Sequence, residues 1–461
     1  MKQEANLLVS SLKENKFLLI KDTKKEFYHY IGEKVVIKNV ATLHYLSRLF
    51  SSLDASKLSL QIIERCFQAF VGSASFLELD FNTIAKIMSS SELNIDSELE
   101  VFNAVVSWLN YNSERSVHAK NLFSKIRISL LSVPALKLIS NKLSCYVDNF
   151  FGINEMILQK TKGRHPKFFK SACRFCEQDK YDIIFCEGSK PHDVVCEVYS
   201  VKANDFNKVT RLPQLKEGRL WSRVICLKCE IYVFSGVNAH SECVTSIEKY
   251  SSVNNSWDVV AHMCDKRIGY SVCSFIGSAY VLGGFIRTFA INSCLKLDRT
   301  RWTKVAGMNE PRKDASCAVF EGKIVVTGGL NANGPLKTAE AYDHVADIWT
   351  HMPSMIKMRY HHKSFAVKNK LFIVGGCYTE TLETYDCFGD KFVTFKSPPK
   401  CFSVYTFGNN EVVLVGRKIF VFQRYKKICL TYNLETETWS EEQFELTNHF
   451  ENFSCVKYQQ L

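Results

Sequence analysis

From Tyr181 to the C-terminus, apolar and polar positions follow a pattern that occurs six times. In each repeat, a short apolar strand ends at a glycine, and two bulky residues seven positions apart follow it. A repeat of roughly 43 to 51 residues built from short strands is typical of a β-propeller, with one blade per repeat. The strands read YDIIFCEG, EIYVFSG, SAYVLGG, KIVVTGG, KLFIVGG and EVVLVG, and the bulky pairs are Tyr199/Phe206, Tyr250/Trp257, Leu295/Trp302, Tyr342/Trp349, Tyr385/Phe392 and Tyr432/Trp439.

A second alternating strand precedes five of these six glycine strands. The five read WSRVICL, YSVCSF, ASCAVF, KSFAV and FSVYTF, whereas YDIIFC has no such neighbour upstream. A matching strand, NFSCVKY, occurs near residue 455. We therefore predict that this C-terminal strand pairs beside Tyr181–Cys186 and completes the first blade, which would close a six-bladed ring and satisfy its edge hydrogen bonds.

Up to about Gly163 the apolar residues recur at helical spacing instead. FNTIAKIMS begins one predicted helix, and Asp96 and Ser97 are candidate caps of another. The apolar face of the latter comprises Val101, Phe102, Val105, Trp108 and Leu109, which we expect in a core. The predicted organisation is an N-terminal segment (1–36), a helical domain (37–160), a basic linker (161–180) and a six-bladed propeller (181–461).

The composition is that of an ordinary globular protein, with 46% hydrophobic and 23% charged residues. The first residues, MKQEANLLVSS, do not resemble a secretory signal, and no apolar run approaches the ~20 residues of a membrane-spanning helix. We therefore expect a cytoplasmic protein, with access to the nucleus left open, whose 18 cysteines are reduced. The net charge of +12 favours acidic partners, but the dispersed Lys and Arg residues form no nucleic-acid-binding motif.

Two C-x-x-C pairs, Cys173/Cys176 and Cys226/Cys229, raise the question of a zinc site. The second pair lies on or at the end of a repeat strand, where alternate residues point to opposite faces of the sheet. We therefore predict no metal site and no cofactor.

Two parts of the chain resemble known modules. The pattern of Gly-Gly, then Tyr, six residues and Trp resembles the Kelch repeat, and SELNIDSELEVFNAVVSWLN followed by IRISLLS resembles the BACK domain. The order of the two modules, over residues 37–461, is similar to that of BTB-BACK-Kelch proteins. That resemblance implies a non-enzymatic substrate adaptor of a cullin-3 RING ubiquitin ligase, in which the propeller captures the substrate.

The chain departs from this family at several positions. A BTB domain needs on the order of 100 residues upstream of BACK, whereas this chain has about 36, so we expect no complete BTB domain. The chain is then either a truncated or alternative product or a protein that acts without direct ligase assembly. In the repeats, Leu295 stands for Tyr, two Phe residues stand for Trp, and the first and last repeats have a single glycine.

Strand order predicts a binding face at one end of the propeller. In a four-stranded meander, the loop between the second and third strands and the connection to the next blade lie at the same end. Basic residues occur in five of these connections, and several polar residues occur in the loops. Because arginine bonds carboxylates in a bidentate manner, we predict that this face binds an acidic protein segment. The alternative is that the arginines pair with neighbouring acids or bond turn carbonyls. The predicted partner-binding residues are Arg219, Asn238, Arg267, Arg287, Arg312, Asn331, Arg359, Tyr378, Lys400 and Arg417, with His240 and Asn333 on the same loops.

Two other functional classes compete with the adaptor interpretation. A Kelch-type propeller also hosts a copper radical oxidase, and Tyr360, His361 and His362 invite that comparison. Adjacent residues on a strand point apart, however, and the chain contains no nucleophile elbow and no phosphate loop. We therefore predict that the protein is not an enzyme. Some Kelch proteins bind actin, which remains the alternative partner.

Overall fold

The structure is a computed structural model that divides into two compact units, one helical and one built of strands, and each is described by itself. None of its described helices has both the length and the apolar character needed to cross a membrane. The described residues are 59–64, 67–93, 95, 98–128, 131, 135–137, 139–140, 182–189, 195–203, 205–227, 230–252, 254–298, 300–367, 370–377, 382–386, 390–395, 411–415, 418–422, 428–434, 436–443 and 453–458.

Short helices pack around an apolar core in the first unit. The Asp80 carboxylate caps one of them, because its Oδ1 accepts the Thr83 N–H at 3.0 Å. Trp108 is buried and its Nε1 donates to the Leu79 carbonyl at 3.0 Å, so its predicted core role is confirmed. The predicted caps Asp96 and Ser97 lie outside the described residues. The helices are α1 (Phe67–Val71), α2 (Ala74–Leu77), α3 (Phe81–Ser89), α4 (Glu98–Asn110), a 3₁₀ helix (Ser113–His118) and α5 (Ala119–Phe123).

The second unit is a six-bladed β-propeller, as predicted. Each blade is an antiparallel four-stranded sheet whose strands we call a, b, c and d from the central channel outwards. Blade 1 contains β1 (Asp182–Ser189), β2 (Val195–Lys202) and β3 (Asp205–Leu212) as its strands b to d, and blade 2 contains β4 (Arg223–Leu227), β5 (Glu230–Val237), β6 (Cys243–Ser251) and β7 (Ser256–His262).

Blades 3 and 4 each carry an additional two-stranded hairpin in the loop between strands b and c. Blade 3 contains β8 (Ser271–Phe275), β9 (Ser278–Leu282), β12 (Cys294–Asp298) and β13 (Arg301–Val305), with the hairpin β10 (Phe285–Ile286) and β11 (Phe289–Ala290). Blade 4 contains β14 (Ser316–Phe320), β15 (Lys323–Thr327), β18 (Ala339–Asp343) and β19 (Ile348–Met352), with the hairpin β16 (Leu330–Asn331) and β17 (Gly334–Pro335).

Strands of blades 5 and 6 complete the ring, and the last strand returns to blade 1. They are β20 (Lys363–Val367), β21 (Lys370–Val374), β22 (Leu382–Asp386) and β23 (Lys391–Phe395) in blade 5, β24 (Glu411–Val415), β25 (Lys418–Phe422), β26 (Ile428–Asn433) and β27 (Thr438–Gln443) in blade 6, and β28 (Phe453–Tyr458).

The C-terminal strand closes the propeller as predicted. β28 pairs antiparallel with β1, with Phe185 opposite Cys455, and becomes strand a of blade 1. Side chains of β1 and β28 share a core cluster with Val413 and Phe420 of blade 6. The contact between the first and last blades is therefore made by residues that are far apart in the sequence.

Paired glycines let neighbouring blades approach closely. Gly283 and Gly284 have φ angles of 61° and 97°, in the region that favours glycine. A Cβ atom on Gly283 would lie 2.4 Å from the Arg312 carbonyl oxygen, and one on Gly328 would lie 2.4 Å from the Arg359 carbonyl oxygen. Any larger residue would therefore push the connection to the next blade out of place.

The aromatic residues of strand d join successive blades. Trp257 Nε1 donates to the Pro213 carbonyl at 2.8 Å, and Trp349 Nε1 donates to the Ala306 carbonyl at 2.9 Å. Each acceptor lies just after strand d of the preceding blade. The indole therefore fills the wedge between two blades and also bonds across it.

Two details of the repeats differ from the sequence prediction. In blade 3, Trp302 lies opposite Leu297 rather than Leu295, because only two residues separate Asp298 from Arg301 in the turn before strand d. In blade 6, EVVLV is strand a (β24) and KIFVF is strand b (β25), whereas we predicted FSVYTF and EVVLV for these positions. FSVYTF lies outside the described residues.

We predict that truncation after Asn452 destabilises the propeller by several kcal/mol, because β1 loses the hydrogen bonds and the packing of β28. The measurement is the urea midpoint of the full chain against the truncated chain. A chain that lacks only residues 459–461 is the control and should retain the wild-type midpoint. Equal midpoints for all three chains would contradict the role of β28 in closure.

Candidate partner-binding face

The b–c loops and the connections between blades meet at one end of the propeller. Backbone bridges join them in three blades, where Leu220 pairs with Val237, Ile268 with Phe285 and Lys313 with Leu330. We call this end the loop face. The strand order thus brings the predicted segments together, although it does not determine where their side chains point.

Four of the predicted arginines lie beneath the loop face and not on it. Arg219, Arg267, Arg312 and Arg359 are each at most 1% exposed. The Nη1 of each donates to the backbone carbonyl at the end of strand b in its own blade. These bonds run from Arg219 to Ser235 (3.4 Å), from Arg267 to Gly283 (3.1 Å), from Arg312 to Gly328 (2.8 Å) and from Arg359 to Gly375 (2.7 Å).

In three blades, a buried glutamate of strand c neutralises the arginine. Arg312 Nη2 lies 2.9 Å from Glu340 Oε1, Arg359 Nη2 lies 2.7 Å from Glu383 Oε1, and Arg219 pairs with Glu248. We call each arginine with its carbonyl and carboxylate partners an arginine clamp. Because the guanidinium donors are used inside the clamp, the prediction that these four arginines contact a partner is corrected, and the alternative interpretation describes their geometry.

The same glutamates hold the connection that leads into the blade. Glu340 accepts the backbone N–H groups of Asn309 and Glu310 at 2.7 and 3.2 Å, and Glu383 accepts those of Ile356 and Lys357 at 2.7 and 3.0 Å. Sequence reasoning missed these residues. Their signal is an acidic residue two positions before the repeated Tyr of strand c, at Glu248, Glu340 and Glu383.

Blade 3 builds its clamp differently. Leu295 occupies the position of the strand c glutamate, so Arg267 bonds instead to Asp265, two residues upstream, whose Oδ1 accepts from Arg267 Nε at 2.6 Å. Arg267 also donates to the Ser293 carbonyl at 2.9 Å. The guanidinium is neutralised in both arrangements, which indicates that the positive charge cannot be left unpaired at this depth.

The other predicted residues fall into three groups: one exposed residue, two that stabilise their own turns, and three outside the described residues. Arg287 is exposed on the b–c hairpin of blade 3. Asn238 and Asn331 shape their own turns, because Asn238 Oδ1 accepts the His240 N–H at 3.0 Å and Asn331 Oδ1 accepts the Asn333 N–H at 2.8 Å. Those outside the described residues are Tyr378, Lys400 and Arg417.

Exposed apolar side chains, which sequence reasoning missed, lie on the loop face. Phe289 is 76% exposed, Met358 57%, Trp221 53% and Ile356 47%. Exposed lysines lie on the same segments, whereas the nearby carboxylates of Asp265 and Glu310 bond buried arginines. The exposed lysines are Lys216, Lys266, Lys337 and Lys357.

A cavity of about 270 Å³ lies among the a strands of the propeller. In its lining, Lys363 Nζ lies 2.8 Å from Glu411 Oε1, and the His361 ring, whose pKa is lowered by burial, has its Nδ1 3.8 Å from Asp314 Oδ1. Arg223 also lines the cavity, and its Nε donates to the Tyr270 carbonyl at 3.4 Å. The cavity therefore offers a polar environment with charges of both signs.

His361 and His362 both line this cavity but contact different groups. His362 is buried and its Nε2 lies 2.8 Å from Thr327 Oγ1, whereas His361 faces Asp314. Burial, reinforced by the nearby Arg359 cation, lowers the pKa of His362 to about 3. Across the described ranges, no group of three or more His, Cys, Asp or Glu residues could hold a metal ion.

Comparison with known proteins finds two family models that match parts of the chain. The family model "BTB And C-terminal Kelch" (BACK) matches residues 37–140, and the Kelch motif model matches residues 311–356. The chain therefore contains a BACK region followed by a Kelch region. The matched Kelch motif contains the Arg312–Glu340 clamp and the Tyr342–Trp349 pair, so both belong to the architecture of the blade.

Curated relatives share most of the chain at low identity. The chain is 23% identical to Kelch repeat and BTB domain-containing protein 1 of cowpox virus over 80% of this chain and 73% of that protein. It is 22% identical to Kelch-like protein 26 of Danio rerio, over 91% of this chain and 72% of that protein. It is also 22% identical to human Kelch repeat and BTB domain-containing protein 2, over 93% and 73% respectively. These relatives suggest that this protein is a protein-interaction module.

We predict that Arg312→Ala lowers the free energy of unfolding by about 3–5 kcal/mol, because it leaves the buried Glu340 carboxylate without its cation. The double change Arg312→Met with Glu340→Leu should cost less than Arg312→Ala. The exposed Arg287→Ala is the matched control and should change stability by less than about 0.5 kcal/mol. Urea unfolding checks all three, and equal effects of Arg312→Ala and Arg287→Ala would contradict the clamp.

Acid should destabilise the propeller through His362. Because the folded pKa of His362 is about 3 and its unfolded value is near 6.5, only the unfolded chain takes up this proton between these values. The contribution of neutral His362 to the free energy of unfolding is fully present above pH 6.5. Below that pH it falls by about 1.4 kcal/mol per pH unit, until the folded pKa is reached. Urea unfolding at several pH values should give a steeper decline for the wild type than for His362→Gln. Parallel declines would show that His362 does not carry the effect.

Proposed function

We propose that the loop face of this protein binds an acidic segment of a partner protein. The proposal rests on the distribution of charge on that face. Buried arginines hold the carboxylates of Asp265 and Glu310, while Lys266, Lys357 and Arg287 remain exposed. Positive side chains that are not neutralised attract an acidic partner and raise its rate of association.

Exposed apolar groups give the same face a means of holding its partner. Phe289 and Met358 are more than half exposed beside these cations. Aromatic residues, Met and Arg are enriched in protein interfaces, where buried apolar anchors supply most of the binding energy. We therefore infer a partner segment that combines acidic residues with apolar ones.

We further propose that this recognition serves a cullin-3 RING ubiquitin ligase in the cytoplasm. The proposal is supported by the BACK match at residues 37–140 and by the order of BACK and Kelch modules, which resembles that of substrate adaptors. In this arrangement, the propeller captures the substrate, and a BTB domain, from this protein or from another product, contacts the cullin. The protein itself contributes binding and positioning, and the ligase contributes the chemistry.

Charge reversal on the loop face should abolish the preference for acidic peptides. The probes are fluorescent synthetic peptides that alternate apolar residues with either Glu or Lys. We expect the Glu peptides to bind the full chain more tightly, with an affinity that falls as salt rises. Arg287→Glu combined with Lys357→Glu should weaken that binding by about 1–3 kcal/mol per residue.

The matched control for this experiment is Arg301→Glu. Arg301 is also exposed, but it begins β13 after the turn between strands c and d, at the opposite end of the propeller. It should leave binding unchanged. Equal binding of the two peptide series, or equal losses in the Arg301→Glu and loop-face variants, would contradict the proposed face.

Co-purification with cullin-3 tests the adaptor role separately. We expect tagged full chain to retain cullin-3 from cell extracts, and the Arg287→Glu, Lys357→Glu variant to retain it equally, because the loop face is reserved for substrate. Loss of cullin-3 with peptide binding intact would refute the ligase role and leave the interaction role standing.

A further inference from the structure

Two thiols of blade 1 are in direct contact inside the sheet. Cys186 lies on β1 and Cys196 on the adjacent β2, and their Sγ atoms are 3.2 Å apart. The strand register places Cys186 opposite Val198 and Gly188 opposite Cys196, so the two cysteines are diagonal neighbours. Both side chains are buried. Adjacent strands therefore hold the two sulfur atoms in contact, and a disulfide bond of about 2 Å requires them to move closer from 3.2 Å.

Their surroundings distinguish the two sulfur atoms. The hydrogen bond with Cys196 lowers the pKa of Cys186, and Ser222 and the Arg219 cation act in the same direction against the effect of burial. The hydrogen bond with Cys186, together with burial, raises the pKa of Cys196. Since the thiolate is the reactive form and Cys186 Sγ has a second polar neighbour in Ser222 Oγ at 3.6 Å, we expect Cys186 to react first and Cys196 to resolve it.

We propose that Cys186 and Cys196 form a redox-active dithiol that hydrogen peroxide converts to a disulfide. The Cys186 thiolate attacks one peroxide oxygen, the O–O bond breaks, and a sulfenic acid and hydroxide form. The Cys196 sulfur then attacks the Cys186 sulfur, the S–S bond forms, and the S–O bond breaks as the hydroxyl leaves as water. Overall, two thiols and one peroxide give one disulfide and two waters. A small dithiol reductant reverses the oxidation by thiol–disulfide exchange.

The position of this dithiol links it to the loop face. β1 and β2 are strands b and c of blade 1, and Cys186 and Cys196 lie toward the end of this strand pair that is nearest the loop face. Cys186 Sγ also lies 3.6 Å from Ser222 Oγ, and Ser222 stands between Trp221 and Arg223 in the connection to blade 2. Disulfide formation brings the sulfurs to about 2 Å from each other and removes this thiol from Ser222. An effect on partner binding rests on the proposed function, whereas the dithiol itself does not.

A buried thiol elsewhere in the propeller provides a control. The Cys429 side chain is as buried as Cys186, but its Sγ donates to the Leu430 carbonyl at 3.7 Å. Burial raises the pKa of Cys429, so its thiol is unreactive as well as buried. Cys429→Ser should therefore leave the oxidation of the pair unchanged.

The test is peptide mapping of the folded full chain after exposure to hydrogen peroxide. Free thiols are quenched in acid and alkylated during denaturation, and the digest is analysed without reductant. We expect a linked peptide pair containing Cys186 and Cys196, lower in mass by two hydrogens than the two reduced peptides, and its disappearance after dithiothreitol. In Cys196→Ser, Cys186 should stop at the sulfenic acid and react with dimedone. In Cys186→Ser, Cys196 should remain a thiol.

A second readout is the melting temperature of the oxidised and reduced chain. The disulfide should raise it by a few degrees in the wild type and in Cys429→Ser, and in neither variant of the pair. Recovery of both cysteines as alkylated thiols, or their linkage to other cysteines instead, would overturn the proposal. Because mapping requires no partner, such a failure leaves the loop-face proposal untouched, and a loss of acidic-peptide binding leaves the dithiol untouched.

Discussion

The arrangement of the loop face depends on buried guanidinium groups that are saturated with hydrogen bonds. In blade 4, Arg312 donates to the carbonyls of Gly328 and Thr338 and to the carboxylates of Glu310 and Glu340. A charge at this depth is tolerated only when its donors are used and its charge is matched. One side chain thereby fixes the end of strand b, the start of strand c and the connection into the blade. The buried clamps therefore position the loops of the loop face.

The clamps also determine which charges remain for recognition. Carboxylates at the rim, such as Asp265 and Glu310, are occupied by arginines beneath them, so the cations that reach solvent are mostly lysines. Blade 3 has the same requirement for a carboxylate partner. Leu295 stands where the other blades have a strand c glutamate, and Asp265 bonds Arg267 in its place. The chemistry of the exposed surface is thus a consequence of how each blade neutralises its interior.

The architecture could be predicted from the sequence because one pattern recurs along the chain, so an irregularity in a single repeat does not obscure it. Six copies of strand, glycine and bulky pair indicated the blades, and the unpaired YDIIFC strand identified NFSCVKY as its partner. The depth of the arginines could not be predicted in this way. The spacing after Trp places Arg312 and Arg359 in the correct connections, but the direction of each side chain depends on a glutamate 24 to 28 residues later, Glu340 for Arg312 and Glu383 for Arg359. Isolated irregularities were likewise missed, as with the short turn that sets Trp302 opposite Leu297.

The pairing of β28 with β1 has a consequence for folding during translation. As the ribosome produces the chain from its N-terminus, β1 emerges early, while the strand that covers its free edge is the last of the described strands to be synthesised. Until then, blade 1 presents unpaired backbone and the apolar side chains of Ile183 and Phe185. The ring therefore closes only after its other blades have been translated. Until then the nascent propeller has an unpaired, aggregation-prone strand edge, which chaperones can bind.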